Sequence, residues 1–249
     1  MTDSQTDDKL FCQTLSSFFT SKIHDIKSAI KNSLLSDNYD PFSSDKPFSS
    51  QELSEFLPVS ADEVKKVIGR MPGKSSPLDV VPTSLLKSCV DVFSPIIAHL
   101  ANISFSCGHF PTTFKKAQIT PLIKKPGLDC HIPANYRPIS NLSTISKLLE
   151  RLVLTRITLH IKSSSATDTF QSAYRTGYST ETALLRVTND ILAAIDTQQS
   201  VILVALDQSA AFDCIDHDIL IRRLEYSFGI TGDALNWTRS YLQIGRAHV

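Results

Sequence analysis

Asp207 is the residue best placed for chemistry. It follows an unbroken apolar run, Val201-Ile202-Leu203-Val204-Ala205-Leu206, and precedes Gln208, the small residues Ser209, Ala210 and Ala211, and the aromatic Phe212. Six apolar residues without polar alternation predict a strand buried on both faces. A carboxylate at the carboxyl end of such a strand lies where α/β sheets present functional groups. An unpartnered charge there is costly, and Mg²⁺ is a partner that carboxylate and carbonyl oxygens suit. Asp213 and Asp216 read more simply as turn and cap residues, Asp216 heading a helix that carries Ile219, Leu220 and Leu224.

Other constellations carry less. Gly69-Arg70-Met71-Pro72-Gly73-Lys74-Ser75 has the residue types of a phosphate-binding loop. Only three residues separate its glycines where four are required, and a helix precedes it where a strand should, so it reads as a turn. Cys107 with His109 and Cys130 with His131 offer zinc-ligand types at spacings that match no finger. Ser179 lacks a nucleophile elbow and reads as a turn residue.

Several elements must position these groups. Leu10, Phe11, Leu15, Phe18, Phe19, Ile23, Ile26 and Ile30 recur at mostly helical spacing, so residues 1–35 form an amphipathic helical extension. Residues 36–59, rich in Ser, Asp and Pro, read as a linker. Ser60-Ala61-Asp62-Glu63 is a capping box, and the helix it opens should stop near Gly69 and Pro72; a compact domain over 60–243 is expected to begin here. Leu85, Leu86, Cys89, Val90, Phe93, Ile96, Ile97 and Leu100 form a buried helical stripe, bent or restarted at Pro95. Gln118–Ile123 is β-like. Leu148, Leu149, Leu152, Val153 and Ile157 make a second helical face, and Leu184, Leu185, Val187, Ile191, Leu192 and Ile195 a third after a Thr180 cap. The class is mixed, α/β or α+β.

Composition narrows the function classes. The 249 residues are 42% hydrophobic with zero formal net charge, as a globular chain is, so total charge names neither nucleic acid nor membrane as a partner. Local charge is uneven. Between Pro111 and Arg151 seven bases face two acids, and between Glu181 and Glu225 eight acids face three bases. A basic segment followed by an acidic one suits a site where one element holds phosphates and another holds cations. Five widely spaced cysteines fit reduced thiols, and an acidic, polar start with no apolar run long enough for a bilayer predicts an intracellular chain without membrane spans.

Four stretches, in order, resemble the reverse transcriptases of non-LTR, LINE-type retrotransposons. Lys74-Ser75-Ser76-Pro77-Leu78-Asp79-Val80-Val81-Pro82 is similar to that family's opening motif. The run from Phe114 to Lys125, with Asn135-Tyr136-Arg137-Pro138-Ile139-Ser140, resembles its fingers motifs. Gln171-Ser172-Ala173-Tyr174-Arg175-Thr176-Gly177-Tyr178-Ser179-Thr180-Glu181-Thr182-Ala183 resembles the segment leading into the palm, and Leu206-Asp207-Gln208-Ser209-Ala210-Ala211-Phe212-Asp213 the first catalytic palm motif.

The resemblance implies fingers and a partial palm of a right-hand polymerase over 60–243. It implies an RNA template, a DNA primer and deoxynucleotide triphosphates as partners, and two-metal phosphoryl transfer with Mg²⁺. Asp207 matches the first catalytic, metal-binding carboxylate. Phe212 matches the aromatic that crowds the sugar 2′ position, and Arg137, Lys124 and Lys125 match fingers residues that approach template backbone or triphosphate. No Asp-Asp pair occurs after position 8, so the second palm motif and the thumb are absent from these residues. An inactive fragment is therefore expected; the alternative is a non-catalytic nucleic-acid-binding module. The family's members work in the cytoplasm and nucleus. Residues 244–249, Ile-Gly-Arg-Ala-His-Val, read as a translated sequencing adapter and are set aside as a non-native tail.

Overall fold

The apolar stripe between Leu10 and Ile30 lies on one long helix, α1 (Thr2–Ser36), in a computed structural model that describes residues 2–36, 51–163 and 168–243. Residues 37–50 of the expected linker and the tail 244–249 lie outside the described residues. Helix α2 (Ala61–Arg70) starts where the capping box predicts: the Ser60 hydroxyl accepts the Glu63 N–H at 3.1 Å. Helices α3 (Thr83–Ser88) and α4 (Val90–Ser106) follow. The expected restart at Pro95 falls instead at Cys89, and Pro95 sits inside α4. Pro95 is the sixth residue of α4, past the unpaired first turn, so the helix runs through it with the i→i−4 bond to the Asp91 carbonyl unmade.

Strands β1 (Ala117–Ile123) and β2 (Tyr136–Leu142) pair antiparallel, and α5 (Thr144–Ser163), α6 (Thr180–Asp196), α7 (His217–Tyr226) and α8 (Gly232–Leu242) complete the order. The fold is helix-rich α+β, and this ribbon is the only sheet among the described residues. Helix α6 is capped by Ser179, one residue before the expected Thr180, in a reciprocal box with Thr182.

The core joins α2, α4, α5 and α8 around Trp237, which is 2% exposed. Its indole meets the edges of Phe56, Phe105 and Phe110 at centroid distances of 5.8, 6.1 and 5.3 Å, and stacks on Tyr241 at 5.4 Å. Its Nε1–H donates to Ser104 Oγ at 2.8 Å, which satisfies the one polar atom such a burial strands. Leu148, Leu149 and Leu152 of α5 are fully buried against this set.

The compact unit begins before Ser60. Phe56 and Val59, read as linker, are buried in the core, and Leu53 bridges Ile230 in parallel fashion. Ser54 O accepts the Ala234 N–H. Gly232 makes this close approach possible: its φ is +51°, and a Cβ would sit 2.6 Å from Ser54 O. Arg156 of α5 closes the same corner. Its guanidinium donates to both Glu63 oxygens at 2.8 and 3.1 Å and to the Leu57 and Pro58 carbonyls. A segment of polar composition is thus held by a few apolar anchors and by backbone pairing, neither of which composition reveals.

The largest departure is Val201–Leu206. It is not a strand, its residues are exposed (Ile202 88%, Leu206 90%), and its backbone has no hydrogen-bond partner among the described residues. A strand, unlike a helix, takes its hydrogen bonds from a neighbour, and none is supplied here.

Candidate nucleic-acid interface

Alternation along the β1–β2 ribbon sorts its residues onto two faces. Ile119 and Pro121 turn toward α1, where with Cys12, Leu15, Ser16 and Phe19 they line one apolar pocket. Tyr136, paired with Ile123, meets Phe11 of α1 edge-on at 5.9 Å. Arg137, paired with Leu122, projects from the opposite, exposed face. Lys124, two residues past Leu122, shares that face; its N–H bonds Asn135 O and its Nζ donates to Ala134 O at 2.6 Å. Lys125 is also exposed. The structure thus brings Arg137 and Lys124 together on one solvent face. Not all of the basic segment is surface: Lys115 is buried, its Nζ donating to Ser240 O.

The opening motif is organised by Asp79, whose part the spacing did not reveal. Its carboxylate accepts the N–H of Ser76 at 2.7 Å, the N–H of Thr144 at 2.5 Å and the Thr144 hydroxyl at 2.7 Å. Thr144 is the first residue of α5, so Asp79 supplies an anion at a helix N-terminus from 65 residues upstream. The Thr144 hydroxyl continues to Thr83 Oγ1 at 2.9 Å. This motif therefore fixes where the ribbon hands over to α5.

Asp207 lies on the exposed stretch after Leu206. Phe212, 71% exposed, meets the ring of Tyr174 edge-on at 6.1 Å, which joins the loop over 168–178 to the segment over 207–216. Ile26 and Ile30 of α1 line a shallow cavity with Gln208, Ala211 and Ile215. Asp216 caps α7, its Oδ1 accepting the N–H groups of Asp218 and Ile219 at 2.9 and 3.0 Å. Glu181, in the first turn of α6, has its pKa lowered, chiefly by a hydrogen bond from the Ser179 hydroxyl.

Among the described residues, the donor set around Asp207 does not complete a two-cation site. Asp207 offers one carboxylate, and Asp216 is committed to its helix. Among the described residues, the group of metal-ligating side chains that converges is Asp129, Cys130 and His131, exposed on the loop between the strands. His109 bonds Ser240 Oγ through Nδ1 at 3.0 Å and serves the core rather than a zinc centre. All five cysteines are free thiols, and no described helix is long and apolar enough to cross a membrane.

Comparison with known proteins accounts for the motif order. The profile of the reverse transcriptase (RNA-dependent DNA polymerase) family matches residues 123–248. The probable RNA-directed DNA polymerase from transposon BS of Drosophila melanogaster is 34% identical over 172 residues, 69% of this chain and 19% of that protein. The RNA-directed DNA polymerase from mobile element jockey of the same species is 31% identical over 176 residues, with the same two coverages. The probable RNA-directed DNA polymerase from transposon X-element is 34% identical over 161 residues, 64% of this chain and 18% of that protein. The chain spans about a fifth of the length of these relatives. It belongs to the reverse transcriptase family, in the branch carried by non-LTR transposons.

Proposed function

We propose that this chain is the fingers and first palm portion of an RNA-directed DNA polymerase, and that it binds an RNA template with its DNA primer. The observation that carries this reading is the placement of the matched motifs. Arg137 and Lys124 share the solvent face of a ribbon whose other face sets Ile119, Pro121 and Tyr136 against α1, and the Asp207 segment is exposed with Phe212 against Tyr174. Arg137, Lys124 and Lys125 contact phosphate of template or triphosphate, where cations on an exposed ribbon lose little solvation. Phe212 gates the nucleotide sugar, and Asp207 holds one Mg²⁺ position.

One carboxylate does not bracket two cations. These 249 residues therefore bind a primed template without extending it, which is also the behaviour of a non-catalytic binding module. Extension separates the two readings in a chain lengthened to match its relatives. There, Asp207→Asn abolishes Mg²⁺-dependent extension of a DNA primer on an RNA template, while Asp216→Asn, which keeps a capping oxygen, retains most of it. Equal loss in the two variants overturns the role of Asp207, and a lengthened chain that binds but never extends establishes the binding module.

A further inference from the structure

The loop over 168–178 holds a ring that packing does little to place. Tyr174 is 87% exposed, and its φ is +62°. A bulky residue in the left-handed region is strained, and a ring this exposed, with an edge-on contact to Phe212, returns little of that free energy through burial. The loop enforces the conformation. Phe170 N–H donates to Asp168 Oδ1 at 2.8 Å, and Arg175 reaches back to the carbonyls of Asp168 and Gln171 at 3.2 and 3.0 Å.

Flat cations lie over the neighbouring rings. The Arg175 guanidinium is 4.8 Å from the Tyr178 centroid, and Arg186 of α6 is 4.5 Å from that of Phe170. Between this loop and the last turns of α5 is a cleft of about 580 Å³, within the range that small ligands occupy. Tyr174, Tyr178, Arg175 and Lys162 line it, with Asp168 as its single acid. Rings and guanidinium planes presented together, beside an ammonium, suit a strand of unpaired bases with its phosphates.

Resting on the reading of this chain as a nucleic-acid-handling module, the geometry points to the loop 168–178 as a stacking platform for unpaired bases of a single strand, with Tyr174 as its leading ring. The Tyr174–Phe212 contact sets this platform beside the Asp207 segment, so a strand lying on it passes next to the proposed nucleotide position.

The test uses the 249-residue chain and two fluorescent probes of equal length and charge, oligothymidylate and the same oligomer without bases. Binding is followed by anisotropy at fixed salt. Wild type prefers the base-bearing oligomer, and Tyr174→Asn lowers that affinity about tenfold or more, the worth of a stacked base, while leaving the abasic oligomer unaffected. Asn tolerates the left-handed region, so this variant removes the ring without straining the loop. Tyr174→Phe keeps the preference.

An unchanged preference in Tyr174→Asn overturns the platform, as does a loss in Tyr174→Phe equal to that in Asn. Wild type binding both oligomers equally overturns the platform alone. Wild type binding neither overturns the nucleic-acid reading with it.

Discussion

The helices around Trp237 and the stretch from Asp168 to Asp216 both carry apolar residues in regular patterns, yet burial separates them. Leu148, Leu149 and Leu152 of α5 are sealed against α2, α4 and α8, whereas α6 has no buried residue and its Leu185 is 71% exposed. The second region also shows how helix and strand differ when uncovered. Helix α6 closes its own backbone hydrogen bonds and is started by a capping box, so it forms with its stripe in solvent. Val201–Leu206 has equally strong apolar character but depends on a neighbouring strand, and it remains irregular. Regular apolar spacing specifies the kind of element for a helix, and for a strand only jointly with its partner.

The sharpest way to break this comparison is one truncation in each region. Trp237→Ala removes the ring on which four aromatic contacts converge and the indole donor to Ser104 Oγ, which keeps its bond to the His109 carbonyl, so it should lower unfolding free energy by about 3–5 kcal/mol. Leu185→Ala should fall within about 0.5 kcal/mol of wild type, as for a surface position. Urea denaturation followed by tryptophan fluorescence for Leu185→Ala, and by circular dichroism for both, reads the difference. Comparable losses would mean that α6 is covered in solution.

The same contrast explains what the residues disclosed on their own. Ser60, Asp216, the β1 segment and the α5 stripe were legible because each depends on neighbours a few positions away. The motif order disclosed the family, since it survives without three-dimensional information. Asp79 was not legible as a helix cap, because its helix starts 65 residues later. Phe56 and Val59 were hidden by polar surroundings, and their partners lie far along the chain, Phe105 and Trp237 for Phe56 and Asn102 for Val59. Tyr174 stood in a recognised motif, and the alternation of Tyr, Arg and Tyr over 174–178 was the available signal. What turned it into a candidate site was its backbone conformation, which residue types alone do not specify.

Arg156 sharpens the boundary of the buried region from its edge. Its side chain is 9% exposed, and it pairs with Glu63, binds the carbonyls of Leu57, Pro58 and Leu152, and lies 5.5 Å from the Phe105 ring. Arg156→Ala removes the fork and its packing on Phe105 while the exposed Leu57 and Pro58 carbonyls turn to water, and should cost about 1–3 kcal/mol. Arg156→Lys restores the charge but not the fork, and should recover only part of the loss. Thermal unfolding of the three chains orders them; a Lys variant as stable as wild type would show that charge alone holds residues 57–63 to α5.

The smallest effect expected is electrostatic, and it falls in the uncovered region. Ser179 accepts the Thr182 N–H and donates its own proton to Glu181, so Glu181 in the folded chain titrates below the ordinary carboxylate range. A lowered folded-state pKa means that the folded chain binds its proton less readily than the unfolded chain. The resulting stabilisation is present above the ordinary glutamate value, about 4.3, and is lost as pH falls through the folded pKa. Both groups are exposed, so the change concerns local fraying of α6 rather than global stability. Amide exchange at the first turn of α6 should be level, after correction for intrinsic rates, from about pH 7 to pH 5 and lose protection only below that. Glu181→Gln should abolish this acid-dependent loss while leaving the exchange of α5 unchanged. A loss centred well above pH 5, or one that persists in Glu181→Gln, would place the titrating group elsewhere and leave the α6 N-terminus held by the Ser179–Thr182 box alone.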